Sequence, residues 1–145
     1  MMKKAILILL ILPIISFSQG FGFIETKTSY YENGNVLSEI NYKDGKRDGL
    51  CRYYWKNGQI LSEVNYKAGK TNGLYKSYYE DGQLNEEGNY KYTDEGVYSR
   101  KEGIWKTYYE NGQLKAESTI KDGISVDWKT YGKDGIITLM KEGDC

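Results

Sequence analysis

Five tyrosines, Tyr30, Tyr54, Tyr78, Tyr108 and Tyr131, recur at nearly constant intervals through this chain of 145 residues. Rings repeated at a fixed spacing can stack against sugars or anchor a protein partner, because each pairs a large apolar face with a hydroxyl handle. Tyr92, Tyr98 and Arg100 form a second group, within the mixed segment Tyr92-Thr93-Asp94-Glu95-Gly96-Val97-Tyr98-Ser99-Arg100. Recognition residues tend to lie in such long connections. Both groups also have a plainer reading. The row would pave the second face of a thin sheet, and the segment would be a surface insertion, which costs little loop entropy. Asp94 and Glu95 lack the alternating ligand pattern of a calcium loop, so no metal site is assigned to them.

Catalytic chemistry finds no support in the residue types. The chain has no histidine, which removes the commonest general base and the commonest metal ligand. No Ser or Cys therefore has a histidine to activate it, and no glycine-rich loop leads into a helix. The carboxylates fall in turns or opposite lysines. A non-enzymatic protein without cofactor or metal is expected. The 20 basic and 20 acidic residues balance, which argues against a nucleic-acid binder held by general basic attraction. Cys51 stands where other units carry Tyr75, Trp105 and Trp128, the place of a small buried hydrophobe. About seven strands at roughly 4.8 Å each separate it from Cys145, far beyond the reach of a disulfide within one chain.

The first eighteen residues read as an address. Lys3 and Lys4 precede an apolar run from Ala5 to Ile15, and Ser16 and Ser18 supply small residues before a cleavage point after Ser18. The run is too short for a helix of about twenty residues that spans a bilayer, and no Cys follows it as a lipid attachment point. The expectation is an exported protein, periplasmic or extracellular, with a bacterial-type leader over residues 1–18 and no membrane contact once that leader is removed. The only proline, Pro13, goes with the leader.

Residues 19–145 are organised by an internal repeat. Gly34, Gly58 and Gly82 stand 24 residues apart, Gly112 follows after 30 and Gly135 after 23. Around them recur Tyr30-Tyr31-Glu32-Asn33-Gly34, Tyr54-Trp55-Lys56-Asn57-Gly58, Tyr78-Tyr79-Glu80-Asp81-Gly82 and Tyr108-Tyr109-Glu110-Asn111-Gly112. A worn copy, Tyr131-Gly132-Lys133-Asp134-Gly135, closes the series. Asn-Gly or Asp-Gly between runs of aromatic and β-branched residues predicts a hairpin with a two-residue type I′ loop. That loop pairs Trp55 with Ile60, Arg52 with Glu63 and Cys51 with Val64. In the later units it pairs Tyr79 with Leu84, Lys76 with Glu87, Tyr109 with Leu114 and Lys106 with Glu117. Apolar then meets apolar and cation meets anion. One face carries Cys51, Tyr53, Trp55, Ile60, Ser62, Val64 and Tyr66 and is the expected buried face; the other carries the ion pairs and the tyrosine row.

Between hairpins the text changes to Tyr42-Lys43-Asp44-Gly45-Lys46-Arg47-Asp48-Gly49 and Tyr66-Lys67-Ala68-Gly69-Lys70-Thr71-Asn72-Gly73. This Tyr-x-x-Gly-Lys-x-x-Gly core resembles MORN repeats. Together with Tyr-Tyr-x-Asn-Gly-Gln-Leu, it looks like the bacterial MORN variant found in proteins labelled YwqK-family antitoxins. The resemblance implies an all-β, elongated, single-layer antiparallel meander of about five hairpins; the fifth, with Val126 in place of Gly and Met140 in place of Glu, reads as a capping unit, since a terminal repeat lacks one neighbour. It also implies a scaffold for protein–protein interaction, antitoxin- or immunity-like. A carbohydrate- or envelope-binding module using the tyrosine row is the alternative.

Overall fold

The computed structural model describes residues 23–93 and 98–141. The expected leader, residues 94–97 of the insertion and Cys145 lie outside the described residues, and with them the expectation about a Cys51–Cys145 link. Eleven strands follow one another: β1 Ile24–Tyr30, β2 Val36–Lys43, β3 Lys46–Arg47, β4 Gly49–Tyr54, β5 Ile60–Lys67, β6 Lys70–Tyr78, β7 Leu84–Lys91, β8 Arg100–Tyr108, β9 Leu114–Lys121, β10 Ile124–Tyr131 and β11 Ile137–Lys141. They make one open antiparallel sheet ordered as the chain runs, with the short β3 paired to β2. This is the repeating meander that the spacing of the glycines predicts. Five hairpins, β1–β2, β4–β5, β6–β7, β8–β9 and β10–β11, are its units.

The hairpin turns differ from the type I′ expectation. At the five hairpin turns only the glycine has positive φ, as at Gly58 (φ 91°). Gly58 N–H donates to Trp55 C=O at 2.9 Å, and Trp55 N–H donates to Gln59 C=O at 2.7 Å. This is a three-residue loop, a type I turn closed by a left-handed glycine bulge. The residue before the glycine is kept right-handed by its own side chain: Asn57 Oδ1 accepts Gln59 N–H at 2.9 Å, and Asp81 Oδ1 accepts Gln83 N–H at 3.0 Å. The extra loop residue corrects the pairing next to the turn. Ile60 pairs with Tyr54 rather than Trp55, Leu84 with Tyr78 rather than Tyr79, and Leu114 with Tyr108 rather than Tyr109. Beyond the bulge the expected pairs hold: Cys51–Val64, Arg52–Glu63, Lys76–Glu87 and Lys106–Glu117.

The type I′ loops sit at the opposite end of the sheet, in the connections. Asp44-Gly45, Ala68-Gly69 and Asp122-Gly123 have positive φ at both residues, and each joins two directly paired strands. Three residues beyond them the ladder slips again. The Asn65 side chain steps in there, its Nδ2 donating to Leu74 C=O at 2.8 Å.

Burial is confined to one face. Ser38, Cys51, Val64, Ser77, Trp105 and Ile120 are buried, and the register places all of them on the face of Cys51 and Tyr53. Among the described residues no second layer covers the sheet, so the rings of this face pack over each other. Tyr75, Tyr90 and Trp105 form the densest group, with centroids 5.1–5.7 Å apart. Trp105 lies where only Gly88 leaves room, since a Cβ there would be 2.2 Å from Trp105 Cδ2.

Candidate functional site

The tyrosine row is built into the opposite face. On that face Glu39, Arg52, Glu63, Lys76, Glu87, Lys106, Glu117 and Lys129 stand opposite one another on successive strands, alternating in sign. Tyr54, Tyr78 and Tyr108 each lean back over this ladder. Their hydroxyls donate to the carboxylates of Glu39 at 2.7 Å, Glu63 at 3.0 Å and Glu87 at 2.8 Å. Arg52 meets Glu63 at 3.0 Å and Lys76 meets Glu87 at 3.6 Å, so these two carboxylates bind a cation and a phenol together. Burial first, then the adjoining carboxylate, pushes Tyr54, Tyr78 and Tyr108 up to about 12. All three rings are half-buried; Tyr30, at the sheet edge, is 58% exposed. Tyr131 is half-buried, and its carbonyl accepts the Tyr109 hydroxyl at 2.8 Å.

The second group lies at the other end of the strands. Tyr92 N–H donates to Asn72 Oδ1 at 3.2 Å, and the Lys70 ammonium lies 5.7 Å from the Tyr92 ring centroid. Arg100 Nη1 reaches Asp122 C=O at 3.5 Å, and Tyr98 is 79% exposed. The eight candidates therefore form two groups separated by the length of a strand, not one site.

Sequence reasoning passed over the second aromatic of each doublet. Tyr31, Trp55, Tyr79 and Tyr109 donate to the carbonyls of Tyr54, Tyr78, Tyr108 and Tyr131, at 2.7, 3.2, 2.7 and 2.8 Å. Each thereby ties its hairpin to the next. Their signal in the sequence is the doublet itself, two aromatics in a row before the hairpin turns at Gly34, Gly58, Gly82 and Gly112. Asn33 and Asn57 add a parallel tie through Nδ2 to Lys56 C=O and Glu80 C=O.

These ties leave two open depressions at the turn side of the sheet. One, of about 700 Å³, is lined by Trp55, Leu61, Tyr75, Tyr79, Glu80 and Glu86 among others. The other, of about 650 Å³, is lined by Tyr79, Asp81, Gln83, Tyr109, Glu110, Asn111 and Lys133. They share Tyr79, Asp81 and Glu110 and so form one groove across the second to fifth hairpins. Aromatic rings and carboxylates lining an open groove suit binding; among the described residues, no group of three or more His, Cys, Asp or Glu is placed to hold a metal ion.

A family model described as MORN repeat variant matches residues 26–44, 47–68, 71–92 and 101–122. Each match covers one hairpin, from β1–β2 to β8–β9, and the hairpin β10–β11 falls outside them. No curated protein matches the chain. Repeats of this kind are generally non-catalytic modules for protein or membrane interaction.

Proposed function

We propose a function from the premise that the matches establish: the chain belongs to the MORN repeat variant family. It acts as a non-catalytic, exported scaffold that binds another protein, in the manner of an immunity or antitoxin-like factor that neutralises its target by occupation. One observation carries this reading. The hydroxyls of Tyr54, Tyr78 and Tyr108 are committed to the ion-pair ladder, and the staple residues Trp55, Tyr79 and Tyr109 line an open groove, which Tyr78 alone of the row joins. Aromatic anchors in a depression are where protein interfaces concentrate their binding energy. Export rests on the leader-like pattern of Lys3, Lys4 and the run Ala5–Ile15.

Cross-linking in intact cells, followed by mass spectrometry of the adducts, tests the scaffold. A protein adduct mapping to the groove is the expected result. Binding only to glycans, lost on Tyr54→Ala with Tyr78→Ala, would replace the reading with the carbohydrate one. Amino-terminal sequencing of the protein from the periplasm or medium is expected to begin at Gln19.

A further inference from the structure

We propose that the groove takes a basic segment of a protein partner, one carrying lysine or arginine at positions three residues apart. The inference rests on the scaffold reading and adds the chemistry of what is bound. It starts from an imbalance of charge. On the ladder face every carboxylate from Glu39 to Glu117 has a cation directly opposite. In the groove Glu86 is matched by Lys101 at 2.7 Å, but Glu80, Asp81 and Glu110 take part in none of the ion pairs formed among the described residues.

The same place in the five turns is held by Glu32, Lys56, Glu80, Glu110 and Lys133. The acidic stretch is thus two hairpins wide and bounded by a lysine on either side. Neighbouring hairpins are two strands apart, about 10 Å, a distance that a polyproline II chain, at about 3.1 Å per residue and three residues per turn, covers in about three residues with the side chains of i and i+3 on one side. Cations at positions i and i+3 would therefore meet Glu80 and Glu110 in turn. The floor is already suited to cations: Lys115 and Lys133 of this chain lie 5.6 and 5.8 Å from the Tyr109 ring centroid. Such a ring attracts a cation through its quadrupole. A guanidinium or ammonium from a partner would find the carboxylates beside the ring of Tyr79, over which no cation lies among the described residues, whereas the Tyr109 ring is already shared with Lys115 and Lys133.

The test uses the purified protein and a fluorescent peptide of Arg-Ser-Gly triplets, with a Glu-Ser-Gly peptide as the reverse-charge probe. Anisotropy is expected to show binding of the arginine peptide alone. Glu80→Gln with Glu110→Gln should weaken it about fivefold or more, the effect of two exposed charge contacts, while Glu32→Gln should leave it unchanged. Both groove glutamates are exposed at turn tips, so an unaltered unfolding midpoint is the control for folding. Equal binding by the double variant, no binding of the arginine peptide, or equal binding of the acidic one would overturn the proposal. The cross-linked partner separates the two levels. Capture undiminished in the double variant would sink the groove chemistry and leave the scaffold standing; a protein that binds only glycans would remove the scaffold itself.

Discussion

Gly88 is the position where the repeat consensus and the structure give opposite answers. It occupies the place of Val64 in the preceding unit, and its φ is not left-handed. Elsewhere in a strand, replacing such a glycine stabilises by about 0.5–1 kcal/mol through lost unfolded-state entropy. Here a Cβ would lie 2.2–2.3 Å from Trp105 Cδ2 and Cε2. Trp105 is 4% exposed, stacked on Tyr75 at 5.6 Å, edge-on to Tyr90 at 5.1 Å, and donates from Nε1 to Asn89 C=O at 3.1 Å. The indole cannot yield without losing these contacts together. Overpacking costs about 1–3 kcal/mol, and a ring pair about 0.5–1.5 kcal/mol beyond that. Gly88→Val should therefore destabilise by about 2–4 kcal/mol, a large part of a small domain's stability of about 5–15 kcal/mol. Urea unfolding followed by circular dichroism measures it. In a Trp105→Leu background the same substitution should cost much less, giving a coupling well above that of independent sites. Gly88→Val that is neutral or stabilising in the parent protein would refute the packing argument.

Other substitutions and conditions follow from the same geometry. Tyr79→Phe removes the donor to Tyr108 C=O that spans the longest gap between repeats, and should cost about 1 kcal/mol in urea unfolding. Tyr30→Phe, at an exposed ring with no such partner among the described residues, should cost nothing measurable. Tyr54, Tyr78 and Tyr108 are raised from the usual 10 to about 12, so the folded state holds their protons more tightly than the unfolded state. Their contribution is intact below pH 10 and lost as pH rises toward 12; the urea midpoint should fall across that window, and ultraviolet titration should show these phenols still protonated above pH 10, together with Tyr53, which burial also pushes up to about 12. Ala68 bears a side chain at φ 49°, a conformation costly for an L-residue other than Asn or Asp. Ala68→Asn should stabilise by about 0.5–1 kcal/mol, read as a raised unfolding midpoint.

How much of the fold was legible follows from what each residue type can do alone. The ion pairs Arg52–Glu63, Lys76–Glu87 and Lys106–Glu117 were readable because opposite charges have one sensible partner across a hairpin, and the observed register keeps all three. Their joining into a ladder across the connections was not. It depends on a register slip between Val64 and Tyr66, and another between Glu87 and Asn89, which no periodicity announces. The site was less legible still. A tyrosine reads alike whether its hydroxyl serves a neighbouring carboxylate, as at Tyr54, or staples the next hairpin, as at Tyr79. The unpaired state of Glu80 and Glu110 became visible only once the cations were placed.

The turns show why a motif can be right about a hairpin and wrong about its geometry. Asn-Gly satisfies two different demands. In a type I′ loop both residues must be left-handed, and Asn is chosen because it tolerates that state. In the three-residue loop only the glycine is left-handed, and the preceding residue is chosen for an oxygen that can accept the N–H two positions on. Asp81 and Asp134 serve as well as Asn57 in this second role, accepting from Gln83 and Ile136 at 3.0 Å. The first role falls to Asp44-Gly45, Ala68-Gly69 and Asp122-Gly123 at the opposite end. There Ala68 has no side-chain acceptor; Asp48 of the same unit supplies it, taking the Ala68 N–H at 3.0 Å. Glu102 does the same for Asp122 N–H, also at 3.0 Å. The acid twenty residues upstream of each of these two loops is thus a turn residue in function, though nothing near the turn in sequence reveals it. The two ends of the repeat consequently divide their work. The connections draw on those acids to hold their backbone, whereas the hairpin turns use the amide or carboxylate of their own Asn or Asp and the Asn of the preceding turn, which leaves the Glu80 and Glu110 carboxylates outside every ion pair among the described residues.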